Sequence, residues 1–213
     1  MPQTTLLLVR HGQTEWNRLG RYQGQQDAPL NDTGRAQAAA LARALRDTPI
    51  DVACSSDLSR AGETARIALQ DRDVEHHVDP RLREIALGPW EGLLIPEVQQ
   101  RWPAQWQAWQ DEPWAVSIEG GETLAQVQQR ALACLQQLLA AHRGKTILVV
   151  SHNAVVRVLL CDVLGLPLTQ INRMRSSSTG INIVHYDPLP SLALMNSVAH
   201  LGTLTENAAQ ATA

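Results

Sequence analysis

Arg10 and His11 stand side by side at the end of an unbroken apolar run, Leu6-Leu7-Leu8-Val9, and Gly12 follows them. A fixed cation beside an imidazole, with a glycine that lets the backbone turn, makes a receptor for an anion. Two later segments repeat the arrangement. Ile50 to Cys54 runs into Ser55-Ser56 and, a few residues on, Arg60; Thr146 to Val150 runs into Ser151-His152-Asn153. Between them, Arg81 to Gly92 mixes Gly, Pro and acidic residues, among them Glu84 and Glu91, in the manner of a functional loop.

These groups do chemistry together only if the chain brings them together. Short apolar runs with polar ends read as strands buried on both faces. Strands of like direction end on one edge of a sheet, where α/β proteins bind ligands. Helical segments separate the runs. Asn31-Asp32-Thr33-Gly34 offers caps for a helix from Arg35 to Arg46, whose buried face is marked by Ala36, Ala40, Leu41, Ala44 and Leu45. Ser55-Ser56-Asp57 is expected to cap a second helix, Leu58 to Leu69. Glu75 to Val78 forms a third strand, and His76-His77 is most simply its exposed end. A long helix from Glu122 to His142 carries the stripe Leu124, Val127, Ala131, Leu135, Leu138 and Leu139. Another follows Ser151-His152, reaching Leu164, and two late strands cover Ile181–His185 and Leu192–Met195. The alternation predicts a three-layer α/β/α sandwich with a mostly parallel central sheet. It is read as one domain over 1–213, with a small helical cap at about 91–121 and a frayed tail at 205–213.

The composition excludes several function classes. Hydrophobic residues make up 44% and charged residues 18%, the balance of an ordinary globular chain of 213 residues. A net charge of -3 argues against a nucleic-acid or membrane-surface partner, so any anion site must be local. Cys54, Cys134 and Cys161 have no metal spacing and read as small buried hydrophobes in a reducing compartment. No segment approaches the roughly 20 apolar residues of a membrane span, and the N-terminus lacks the pattern of a signal peptide. A cytoplasmic protein is expected, with no metal and no cofactor.

The motifs carry a resemblance. Leu8-Val9-Arg10-His11-Gly12-Gln13-Thr14-Glu15-Trp16-Asn17 is similar to the signature of the histidine phosphatase superfamily, also called phosphoglycerate-mutase-like. Ser55 to Ala65 resembles its second motif, Leu82 to Gly92 its acid/base loop, and Ser151-His152 its late histidine. Arg21, Gln23-Gly24, Pro29-Leu30, Gly34 and Gln37-Ala38 also fit. The matches occur in family order over most of the chain. The family commonly has glycine after the late histidine; here Asn153 stands there, a residue that tolerates left-handed backbone.

The resemblance implies a phosphoryl-transfer site, and the residue types suit it. His11 is the expected nucleophile, since a neutral imidazole nitrogen can accept a phosphoryl group. Arg10 and Arg60 would clamp phosphate oxygens with their planar forks. His152 would donate to another oxygen, joined by the amides that follow it. Asn17, Thr14, Gln23, Asn153 and Arg21 are expected as further phosphate or substrate ligands. Glu84 is the expected general acid for the leaving oxygen and then the base for water, with Glu122 as the alternative. Arg157 is read as structural.

Mutases and phosphatases share this core. A mutase must retain a highly anionic bisphosphate under a basic lid, but Glu91 to Glu122 holds a single basic residue, Arg101. The reading is therefore a phosphomonoesterase of the histidine acid phosphatase type, acting on a small organic phosphate ester. A cofactor-dependent phosphoglycerate mutase is the alternative, and a non-catalytic phospho-ligand sensor a more distant one. Four of the six tryptophans fall between Pro96 and Trp114. Trp102, Trp106 and Trp109 share one helical face, which suits packing on the core, a substrate-facing lid or a homodimer contact.

Overall fold

The structure is a computed structural model that describes residues 3–70 and 72–205. Among these, six strands form one sheet: β1 (Thr4–Arg10), β2 (Val52–Ser55), β3 (Glu75–Val78), β4 (Thr146–Ser151), β5 (Ile181–Asp187) and β6 (Leu189–Ser197). Their order is β3-β2-β4-β1-β5-β6. The first four run parallel, and β5 and β6 form an antiparallel pair on the far side of β1. β1 and β4 pair in register from Thr5 with Thr146 to Arg10 with Ser151, which sets the two polar strand ends side by side.

Alternation along the strands decides the layers. Leu6 and Leu8 of β1 point into one core with Val52, Ile147 and Val149. That face is covered by α6 (Leu124–Ala141) and α7 (Asn153–Val163). Leu7 and Val9 point into the other core with Ala53, Leu148 and Val150, beneath α2 (Asp32–Ala44) and α3 (Ser59–Leu69). Two short helices, α4 (Ile95–Arg101) and α5 (Pro103–Asp111), form the cap; α1 (Glu15–Leu19) precedes α2. Among the described residues no helix is long and apolar enough to cross a membrane. The three cysteines are buried and free.

The expected architecture matches, with local corrections. In α2 the buried residues include Gln37, Ala38 and Ala42, whereas Ala44 is exposed. The stripe departs from apolarity because the Gln37 amide oxygen accepts the N–H of Gln13 at 2.8 Å. None of Ser55, Ser56 and Asp57 is the cap of α3. Leu58 occupies the cap position without a side-chain bond, and the first helical N–H, of Ser59, donates to the Asp27 carboxylate at 2.7 Å. Asp57 instead pairs with Arg83. His76 is half-buried, its Nε2 2.9 Å from the Ser55 hydroxyl. Asn153 has no left-handed backbone; it is the first residue of α7. Of the tail, only Thr205 is described and 206–213 lie outside the described residues.

Candidate active site

The carboxyl ends of β1, β2 and β4 and the 84–92 loop enclose one cavity of about 380 Å³. Arg10, His11, Gln23, Arg60, Glu84 and Asn153 line it. The turn after β1 is fixed by a close backbone approach. A Cβ on Gly12 would lie 2.6 Å from the carbonyl oxygen of Gly34, so only glycine lets this turn meet the first turn of α2. The Gly12 N–H donates to the Thr64 hydroxyl of α3 at 3.0 Å, which ties the turn to the helix carrying Arg60.

His11 is 1% exposed. Its Nδ1 lies 2.7 Å from the Gly12 carbonyl oxygen. A carbonyl can only accept, so the proton sits on Nδ1 and the Nε2 lone pair is left for chemistry. Burial, then the Arg60 and Arg10 guanidinium groups, holds the imidazole well below its ordinary pKa of 6.5. The ring is therefore neutral at neutral pH, as a nucleophile must be.

The cations are built in. Arg10 Nη1 donates to the Ser176 carbonyl at 2.7 Å. Arg60 is fully buried, and its Nη1 and Nη2 each donate at 2.8 Å, to Gln26 O and Gly24 O. Burial lowers its pKa to about 10, opposed by Glu84 and Asp27, so it remains a cation. His152 packs beside His11, ring centroids 5.1 Å apart, and is also held neutral by burial and by Arg60. Three buried polar atoms here, Arg60 Nε and both ring nitrogens of His152, have no hydrogen-bond partner among the described residues.

Glu84 lines the same cavity. Its Oε1 accepts the N–H groups of Ile85, at 2.9 Å, and Ala154, at 3.1 Å. The amide expected to serve phosphate thus holds the carboxylate instead. The loop itself is clamped by Arg130 of α6, which donates to the carbonyls of Arg81, Arg83 and Glu84. Glu122, the alternative acid, is committed to Arg130 at 2.8 Å and to the Ala86 N–H at 2.9 Å. Burial pushes its carboxyl up, but Arg130, Ala86 and Gln25 outweigh that and hold it below its usual value. Its place is structural.

The remaining expected ligands divide. Gln23 and Asn153 line the cavity. Thr14 and Asn17 are fully buried and form the capping box of α1, with Thr14 Oγ1 also donating to Gln23 at 3.0 Å. Neither is among the lining residues. Arg21 does not join the site: its guanidinium donates to the Gly92 carbonyl and lies 5.7 Å from the Trp16 ring centroid. Conversely, Arg157 and Arg175 line the cavity although neither was expected there. Arg157 had a findable signal, since it falls one turn after Asn153 on the same face of α7. Arg175 lies in an irregular segment that carries no periodic pattern.

Comparisons with known proteins give the family and the fold. The model of the histidine phosphatase superfamily (branch 1) matches residues 6–195. Phosphoserine phosphatase 1 of Hydrogenobacter thermophilus is 35% identical over 198 residues, covering 92% of this chain and 94% of the relative. A probable phosphoglycerate mutase, GpmB, of Yersinia pestis is 36% identical over 190 residues, 87% of this chain and 86% of the relative. The solved structure of Bacillus stearothermophilus YhfR superposes with a TM-score of 0.90 at 34% identity, covering 93% of this chain and 99% of that one. The chain belongs to the histidine phosphatase superfamily, branch 1.

Proposed function

We propose that this phosphatase is a phosphomonoesterase that works through a phosphohistidine on His11. The observation that carries the reading is the set of unpartnered buried atoms of Arg60 and His152 around a neutral, oriented His11. Buried donors without partners are costly, and a phosphoryl oxyanion can accept from Arg60 Nε and from the one ring N–H of a neutral His152. In the first step His11 Nε2 attacks phosphorus, a P–N bond forms and the P–O ester bond breaks. Protonated Glu84 gives its proton to the departing alkoxide. Arg10, Arg60 and His152 hold the non-bridging oxygens and balance their charge. In the second step water attacks phosphorus, Glu84 takes its proton, and the P–N bond breaks to release phosphate and restore the enzyme.

The test is a denaturing alkaline quench during turnover of a panel of small phosphate esters, including phosphoserine, sugar phosphates and phosphoglycerates. The expected result is acid-labile phosphohistidine in the wild type and neither label nor phosphate release in His11→Ala. Interconversion of phosphoglycerates faster than phosphate release would overturn the hydrolase reading in favour of a mutase.

A further inference from the structure

His11 is held through its backbone by a segment that carries no motif. Ser176 to Thr179 leads into β5 and runs against the end of β1. Its first carbonyl, of Ser176, accepts Arg10 Nη1 at 2.7 Å. Its last N–H, of Thr179, donates to the carbonyls of Arg10, at 3.0 Å, and His11, at 3.4 Å. These carbonyls belong to the two peptide groups that flank the His11 Cα. Thr179 has a φ of 52°, a left-handed conformation that is an outlier for a β-branched residue. Backbone of this kind persists only where the surroundings over-determine it, and it collects at active sites. The surroundings are identifiable. Thr179 is fully buried, and its Oγ1 is hydrogen-bonded to His200 Nε2 at 3.1 Å. The other end of the segment is pinned separately. Asn196 Oδ1 accepts the Ser177 N–H at 2.8 Å, and the Asn196 N–H donates to Asn182 Oδ1 at 2.8 Å. Asn182 in turn donates to the Leu8 carbonyl of β1 at 2.9 Å.

We infer, on the reading of His11 as the nucleophile, that Thr179 anchored by His200 is a positioning residue: it fixes the peptide groups on both sides of His11, and so where Nε2 stands when it attacks phosphorus. Thr179 is not among the lining residues, so it acts through His11 rather than on substrate. The ring's own tether, from Nδ1 to the Gly12 carbonyl, belongs to the same turn, so a shift of that backbone carries the ring with it. A misplacement of about 1 Å at the reacting atoms is enough to slow a reaction about 10²-fold. The phosphate ligands have other supports. Arg60 stands on α3, His152 on the start of α7, and Arg10 is held at Ser176, next to the Asn196 pin. Loss of the Thr179 anchor therefore slows attack without weakening phosphate binding.

Two substitutions at one position test this. Thr179→Val keeps the shape and removes the hydroxyl, whereas Thr179→Ser keeps the hydroxyl. With p-nitrophenyl phosphate, an alkaline quench reads the single-turnover rate of phosphohistidine formation, and the Ki of inorganic phosphate reads the clamp. Thr179→Val is expected to lower the rate by about tenfold or more and to leave Ki within about twofold, with Thr179→Ser within about threefold of the wild type in both. His200→Phe leaves Thr179 in place and is expected to act as Thr179→Val does, with no further loss when the two are combined. It carries the test where Thr179→Val does not fold. An unchanged rate in Thr179→Val or His200→Phe overturns the inference. So does a parallel loss of rate and phosphate affinity, or a loss in Thr179→Ser equal to that in Thr179→Val. No His11-dependent phosphohistidine in the wild type removes the reading beneath it instead.

Discussion

Glu84 Oε1 accepts the N–H of Ala154 at 3.1 Å, so this carboxylate hangs from the first turn of the helix that begins directly after His152. Glu84, the proposed acid, and His152, whose ring packs beside His11, are thus positioned by one short piece of backbone.

That arrangement predicts how Glu84→Gln fails. Alkyl esters leave as poor alkoxides and need a proton, so kcat on them should fall by about 10²–10⁴-fold. Nitrophenolate leaves without help. With p-nitrophenyl phosphate the variant should release one nitrophenolate per active site in a burst, then turn over slowly, because the base for water is also missing. Rapid-mixing absorbance reads the burst. Equal slowing of both esters with no burst would rule Glu84 out as the acid.

The polar groups gathered at the cavity were legible in the sequence because each sits at a fixed offset from a strand end. Arg10, His11 and Arg60 line the cavity, and His152 packs beside His11. What supports them was harder to read. Gln37 is polar yet fully buried, so a hydrophobic stripe passes over it. Glu122 carries the same carboxylate as Glu84, and only the position of Arg130 on a distant helix decides between them. Arg21 matches the motif, but a carbonyl and the Trp16 ring engage its guanidinium first. Long-range pairing of this kind leaves no local mark in the chain.

Backbone proximity at the site gives a paired stability prediction. A Cβ on Gly34 would overlap the Gln13 carbonyl oxygen, a backbone atom that cannot step aside. Gly62, inside α3, faces only the Ser55 hydroxyl at 4.0 Å. Gly34→Ala should therefore destabilise the fold by about 2 kcal/mol or more, whereas Gly62→Ala should stabilise it by about 0.5–1 kcal/mol through helix propensity. Urea denaturation of both variants checks the signs; a neutral Gly34→Ala would mean the turn after β1 yields easily.

Stability should also fall on mild acidification. Burial is the largest cause holding His11 and His152 well below 6.5 in the folded chain, and it lowers His76 and His200 as well. Above pH 6.5 these groups are neutral in both states and contribute no slope. As pH drops below 6.5 the unfolded chain binds protons that the folded chain refuses. Each such histidine then removes up to about 1.4 kcal/mol per pH unit until its folded pKa is reached. Denaturation curves at pH 7.5, 6.5 and 5.5 should show the decline, shallower in His152→Asn. A flat profile would contradict the buried neutral state.

Two substitutions separate packing from recognition among the tryptophans of the cap. Trp102, Trp106 and Trp109 all pack against the core that contains Trp90 and Tyr22. Trp106 Nε1 donates to the Tyr22 hydroxyl at 3.1 Å and does not line the cavity. Trp109 sits edge-on to Trp90, centroids 6.1 Å apart, and does line it. Trp106→Ala should therefore act mainly on stability, costing about 1–3 kcal/mol for a half-buried ring. Trp109→Ala removes a wall, so bulky esters gain on small ones. The ratio of kcat/KM for naphthyl phosphate over ethyl phosphate should rise by about three- to tenfold. If the ratio moves in Trp106→Ala and stays fixed in Trp109→Ala, the assignment of the two rings is reversed.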